Sequence, residues 1–276
     1  MKKNSFNIGD FNSEMFFSVI EDITISPLTP KLNTVSLPER DGVLDFSNDN
    51  KWGRNVYEPR IITITGIVKT NYWSNLNPNR QAEKMVVLSS LYSYAYKNAK
   101  GKLNLGITPG VYWEATLEGI KNFENTGNVS FRVVLQYRCQ PFSKDNNQLG
   151  ISKTLIPTVE FEIPETYEWA PTNSFSVEVS SYSENVGEIS IVNSTTNEIL
   201  TISDIDFTGT NKLIVDFENF NIDYTPKTYK NKTWTGDFFE IKPGNNLVLL
   251  SNVEEGTATL RYTPQYFYGK LSASLK

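Results

Sequence analysis

The sequence predicts a mainly β protein with a single α-helix. Most segments alternate apolar and polar residues with a period of two and are rich in Ile, Val, Thr, Tyr and Phe, as half-buried strands are. One segment in the first half has apolar residues at helical spacing instead. In the second half, short strand candidates recur about every 8–12 residues, a rhythm typical of an antiparallel sandwich.

The first half is predicted to place one helix on a sheet. The helical pattern follows Asn77-Pro78, an N-cap with a first-turn proline, and runs over residues 80–97, with Gly101 just beyond it as the stop signal. Met85, Leu88, Leu91 and Ala95 fall at helical spacing on one face of it. The strand candidates are residues 60–70, 102–107, 111–123 and 129–140. A helix covering such strands is an α+β arrangement.

The polar stretch after Phe142, SKDNNQLG, is interpreted as a linker between two domains, residues 1–145 and 146–276. The domains differ in charge, with 17 basic against 14 acidic residues in the first and 9 against 17 in the second. The second domain has strand candidates at residues 159–163, 175–179, 188–192, 199–202, 212–217, 238–241, 246–250 and 257–262. The difference in charge favours modules with different neighbours.

Composition excludes several classes of function. The 276 residues include no histidine, which argues against Ser-His-Asp and Cys-His catalysis and against most zinc sites. The one cysteine, Cys139, lies in a strand-like segment and is interpreted as a small buried hydrophobe. The formal charge of −5 argues against nucleic-acid binding, and no apolar run reaches the roughly 20 residues of a membrane span.

Motifs for metal or cofactor chemistry are weak, so neither a cofactor nor a metal is expected. No glycine-rich phosphate loop or Gly-x-Ser-x-Gly elbow occurs. Residues 45–50 resemble a calcium loop, but Asn50 replaces its glycine and Val56 its last acidic ligand. The carboxylate pairs Glu39 with Asp41 and Glu160 with Glu162 could serve a glycosidase, although such pairs usually mark a solvated strand face. The protein is expected not to be an enzyme.

Aromatic residues of the second half could instead form a platform on which a saccharide stacks. The candidates are Trp169, Tyr182, Trp234 and Tyr262. The competing interpretation is that these rings fill the core, as large aromatic side chains commonly do.

An ordered series of motifs resembles the distal tail proteins of siphophages, also called the siphophage tail component family. Residues 37–68 contain a Pro-x-Arg-Asp-Gly turn, a polar loop, and an aromatic and an arginine that open a long strand. The similarity continues through the helix, the Pro109-Gly110-Val111-Tyr112 segment and the strand ending in Cys-x-Pro-Phe, and returns at the Pro243-Gly244-Asn245 turn. It covers most of residues 35–142 well and the C-terminal half more loosely.

The resemblance implies a fold and a place in the virion. It implies an N-terminal β-sandwich with one α-helix and a projecting hairpin, followed by a C-terminal galectin-like antiparallel β-sandwich. Six copies would form a ring at the tail tip, joining the tail-tube protein to the tail-tip or tail-associated lysin protein and anchoring receptor-binding proteins. Assembly would take place in the host cytoplasm. On this hypothesis the residues relevant to assembly are Arg40, Asp41, Gly42, Tyr57 and Arg60.

Two other classes of function stay open. The second domain could be a carbohydrate-binding module for host cell-wall polysaccharide, which predicts saturable binding that depends on Trp234. A wall-degrading glycosidase would instead release reducing ends from peptidoglycan.

Overall fold

The computed structural model describes residues 4–36, 43–45, 56–69, 80–125, 130–154, 158–163, 169–170, 172–181, 185–206, 212–225, 233–242, 245–251 and 256–268. These residues fall in two compact units. The first contains the described residues up to Ser143 together with Tyr268, and the second is Lys144–Phe267. We expected the division after residue 145, with the whole C-terminal end in the second domain.

The first unit contains one antiparallel sheet, a small hairpin and a helix. Its elements are β1 (Phe6–Ile8), β2 (Phe11–Asn12), a 3₁₀ turn (Ser13–Met15), β3 (Phe17–Ile25), β4 (Thr34–Ser36), β5 (Val43–Asp45), β6 (Arg60–Lys69), α1 (Arg80–Lys97), β7 (Lys100–Leu105), β8 (Val111–Asn125) and β9 (Ser130–Cys139). Within this unit the strand order is β3-β6-β9-β8-β7-β1-β2. The hairpin of β4 and β5 lies outside this sheet.

The sheet of the first unit bends around its own core. Alternate residues of β6 and β9 are buried, which is the pattern that strand periodicity predicts. The rings of Phe6 on β1 and Phe17 on β3 lie 6.0 Å apart, although these strands are far apart in the strand order. Gly66 on β6 leaves room for Phe17, because a Cβ there would lie 2.5 Å from that ring. Residues from both ends of the sheet therefore share one core.

Helix α1 confirms the predicted helix, and the four apolar residues that share one face differ in burial. Leu91 and Ala95 are fully buried and Leu88 is half-buried. Met85 is 62% exposed, so the core does not cover this face along its whole length. The helix packs on the sheet core through Leu91 and Ala95, with Val87 and Leu88 partly buried against the same core, whereas Met85 faces solvent.

The predicted helical pattern ends at Lys97, as α1 does, but the helix is not capped by Gly101. The helix ends at Lys97, and the backbone N–H and side-chain amide of Asn98 both donate to the carbonyl of Tyr94, at 3.1 and 3.0 Å. Gly101, the predicted stop, lies within β7. An asparagine that satisfies a helix-end carbonyl serves in place of the glycine.

The second unit is a sandwich of two antiparallel five-stranded sheets. The ten strands of the sandwich are β11 (Leu149–Thr154), β12 (Thr158–Ile163), β14 (Phe175–Ser181), β15 (Asn185–Asn193), β16 (Glu198–Asp206), β17 (Lys212–Asp216), β18 (Asn221–Thr225), β19 (Trp234–Gly236), β20 (Asn246–Ser251) and β21 (Gly256–Tyr262). Three short strands lie outside its two sheets: β10 (Ser143–Asp145), which begins at the boundary of the units, β13 (Trp169–Ala170) and β22 (Gln265–Tyr266). The strand orders are β11-β21-β14-β17-β18 and β12-β20-β15-β16-β19. Residues of both sheets form a single core.

Two predictions about local structure in this region were wrong. The predicted linker, residues 143–150, contains β10 and the first two residues of β11, and its Ser143, Lys144 and Asp145 are buried. Lys144 pairs with Glu218, and the Tyr266 hydroxyl donates to the Asp145 carboxylate at 3.0 Å. Residues 238–241 form no strand. Within that segment only Ile241 pairs, in an isolated bridge with a residue before β14.

Candidate functional site

The predicted assembly residues divide into three outside the described part of the chain and two inside it. Arg40, Asp41 and Gly42 lie outside the described residues. Tyr57 is half-buried, and its ring meets that of Phe142 edge to face with centroids 5.5 Å apart. In the first unit, Tyr57 therefore packs within its own chain.

Arg60, which was predicted to take part in assembly, is buried within its own chain. Its side chain is 1% exposed, and its Nε donates to the Ser26 carbonyl at 2.8 Å, with Nη2 donating to the same oxygen. The guanidinium carbon lies 4.3 Å from the Tyr268 ring centroid and 5.2 Å from that of Trp113. Burial lowers the pKa of Arg60, and Tyr268 partly opposes this shift. The arginine that opens β6 therefore holds the first unit together.

The outer face of α1 is exposed and carries no charge over three turns. Between Lys84 and Lys97 the helix has no charged residue. Met85 and Val86 are 62% and 64% exposed, and they line a shallow groove with exposed serines and Tyr94. Surface helices usually place charged residues on their solvent side, whereas protein interfaces are depleted in charge and enriched in Tyr and Met. This face, which we call the α1 face, resembles a protein contact in its lack of charge and in its exposed Met85 and Tyr94.

Of the predicted saccharide residues, only Trp234 is seen at the surface. The side chains of Trp169 and Tyr182 lie outside what the structure describes. Tyr262 is buried in the core of the second unit, where burial raises its pKa, so its assignment to a platform was wrong. Trp234, in contrast, is 40% exposed on β19.

Trp234 belongs to a group of three aromatic residues, Phe220, Trp234 and Phe238, which we call the edge cluster. The sequence did not reveal this group. The Phe238 ring meets the other two edge to face, with centroids 5.6 Å from Phe220 and 6.3 Å from Trp234. Phe220 is 62% exposed and has a φ of 51°. The only sequence signal was a phenylalanine within the polar turn Glu-Asn-Phe-Asn.

Comparisons with known proteins bear on both units. The model of the siphovirus-type tail component family, C-terminal domain, matches residues 170–266. The crystal structure of SPP1 Dit (gp 19.1) matches this chain with a TM-score of 0.70 and 12% sequence identity. The match covers 95% of this chain and 98% of that one. SPP1 Dit is described as a paradigm of hub adsorption apparatus in phages that infect Gram-positive bacteria. No curated protein matches the chain.

Residues 170–266 match the siphovirus-type tail component family, C-terminal domain. The solved structure shares the fold of nearly the whole chain. The resemblance to the distal tail family, the mainly β class and the expectation of a structural protein that is not an enzyme are thereby confirmed.

The structure also describes part of the metal and carboxylate motifs considered from the sequence. Among the described residues no group of three or more His, Cys, Asp or Glu side chains could hold a metal ion, and no helix is long and apolar enough to cross a membrane. Glu160 and Glu162 point outward from β12 and are exposed. The other carboxylate pair and all but the first residue of the calcium-like segment lie outside the described chain.

Cys139 has the predicted role of a buried hydrophobe. It is 2% exposed at the end of β9, and burial raises the pKa of its thiol to about 12. A thiol with that pKa is almost entirely protonated at neutral pH and is a poor nucleophile.

Proposed function

We propose that this tail protein forms a ring at the distal end of the tail and acts as a hub. The ring joins the tail-tube protein to the tail-tip or tail-associated lysin protein and anchors receptor-binding proteins. Six copies form it, as the family resemblance implies, and assembly takes place in the host cytoplasm. The observation that carries the proposal is the fold shared with SPP1 Dit, a protein described as a hub, across 95% of this chain.

The surface of the first unit supports self-association. A closed ring requires two different surfaces that meet between neighbouring copies. The α1 face is one exposed, uncharged surface. The second is the edge of the sheet at β3, which in the described part of the chain pairs only with β6. Val19 is exposed on this edge strand, whose unpaired backbone groups are available to a neighbour.

The test compares the solution mass of the wild type with that of Val86→Glu on the α1 face. Light scattering over a range of concentrations, followed by negative-stain imaging, is expected to show a ring for the wild type. A buried glutamate would oppose association, so Val86→Glu is expected to remain a folded monomer. The matched control, Leu149→Glu, changes an exposed leucine of the second unit and should still form rings. A wild type that stays monomeric even with tail-tube protein present would refute the ring.

A carbohydrate-binding module is the second candidate function. The observation that favours it is the edge cluster, which presents aromatic rings at the surface of the second unit.

A further inference from the structure

The edge cluster lies where both sheets of the second unit end. β18 is the last strand of one sheet and β19 the last strand of the other. Phe220 immediately precedes β18, while Trp234 opens β19 and Phe238 follows it. The ring contacts therefore bring together residues from the borders of two different sheets.

The edge cluster packs on the core of the second unit through Phe238. Phe238 packs edge to face on Phe217, which is fully buried, with centroids 5.5 Å apart. Phe217 in turn stacks on Phe175 with a centroid distance of 4.0 Å. The exposed rings thus rest on a packed aromatic stack that limits their movement.

The backbone on both sides of the cluster is also held in place. Asp216 accepts hydrogen bonds from the backbone N–H groups of Glu218 and Asn219, at 3.0 and 3.1 Å, and so closes the turn that presents Phe220. Gly236 has a φ of 89°, and a Cβ there would lie 2.0 Å from the Ile199 carbonyl oxygen. A phenylalanine with positive φ and an exposed ring contributes little to folding, so its place in this turn favours a role in binding.

We propose that the edge cluster is a binding site for a neutral saccharide. The apolar face of a pyranose ring stacks on Phe220 and Trp234, because ring faces carry negative charge that attracts C–H groups. Asn219 and Asp237, which flank the rings in sequence and are exposed, accept hydrogen bonds from sugar hydroxyls.

The size of the cluster favours a saccharide over a protein. A free aromatic side chain has an accessible surface of roughly 150–250 Å². Because Phe220 is 62% exposed and Trp234 is 40% exposed, the two together present only about 200 Å² of accessible surface. A stable protein interface buries about 800 Å² on each partner. One or two sugar rings match the smaller area.

The charge of the unit favours a neutral ligand. Lys144–Phe267 contains 8 Lys and Arg against 18 Asp and Glu, so an anionic wall polymer would be repelled at low salt.

The test titrates the full-length protein with tri- and tetrasaccharides of glucose, galactose and N-acetylglucosamine, and with wall polysaccharide stripped of teichoic acid, by calorimetry. The wild type is expected to bind at least one of them saturably. Phe220→Asn removes the ring while asparagine tolerates positive φ, so it should remain folded and bind at least 10-fold more weakly. The control Phe267→Ala changes an exposed phenylalanine outside the cluster and should bind like the wild type.

Three results would overturn the proposal. The first is that none of these glycans binds, and the second is that Phe220→Asn binds as well as the wild type. The third is that Phe220→Asn loses a tail-protein partner while the wild type binds no glycan, which would make the cluster a protein contact. Ring formation, followed separately by light scattering, should be unchanged in Phe220→Asn, so failure here is distinct from failure of the proposed hub.

Discussion

Replacing Arg60 with alanine should destabilise the first unit by about 3 kcal/mol. Hydrogen bonds to a charged group contribute about 1.5–3 kcal/mol, and Arg60 makes them through Nε and Nη2 to the Ser26 carbonyl. Desolvated cation–π contacts add about 0.5–2 kcal/mol, here with Tyr268 and Trp113. Relief of the cost of burying the charge offsets part of this sum.

Differential scanning calorimetry can measure this loss, since two units can unfold in separate transitions. For a unit of this size about 3 kcal/mol corresponds to a fall in Tm of roughly 10 °C. Arg60→Lys keeps the charge but not the planar donor group, so it should recover little of the lost stability.

The matched control is Arg138→Ala, also in the first unit. The Arg138 side chain is 62% exposed and pairs with Glu118 at 2.7 Å. Exposed ion pairs contribute about 0.2–1 kcal/mol, so this variant should melt within about 3 °C of the wild type. Equal melting of the two alanine variants would refute the structural role of Arg60. An Arg60→Ala protein that melts like the wild type but fails to form rings would restore its assignment to assembly.

Three further outcomes are expected. Gly66→Val should lower the Tm of the first unit in calorimetry, because overpacking against Phe17 costs about 1–3 kcal/mol, and an unchanged Tm would contradict the packing seen there. Gly236→Ala should weaken the attachment of β19 by about 1–3 kcal/mol, because it combines a positive φ with a clash against the Ile199 carbonyl. Hydrogen exchange at Asp237, whose backbone N–H donates to that carbonyl at 3.3 Å, should rise, and wild-type protection would count against this. In the folded protein burial raises the pKa of the Cys139 thiol from 9.0 to about 12. As pH rises above 9, the unfolded state therefore loses this proton before the folded state does. The free energy of unfolding, measured in urea, should then fall by up to about 1.4 kcal/mol per pH unit. The fall should be shallower in Cys139→Ala, and equal slopes would show that the thiol does not contribute.

The sequence determined the elements whose periodicity is regular. β6, β8 and β9 were predicted to within two residues because apolar side chains alternate along each of them. β3 was missed for a physical reason. Its register shifts between Phe17 and Val19 and again between Ile20 and Asp22, so its buried residues do not recur every second position.

Tertiary structure alone decided which predicted side chains face solvent. Helical spacing placed Met85 with Leu91, but the core covers Leu91 and leaves Met85 exposed. Arg60 is enclosed by Tyr268, a residue near the far end of the chain, and no local pattern carries that contact. Phe220 and Trp234 come together at the borders of two sheets for the same reason. Local periodicity encodes the face of a strand or helix, whereas burial and clustering depend on contacts between segments distant in sequence.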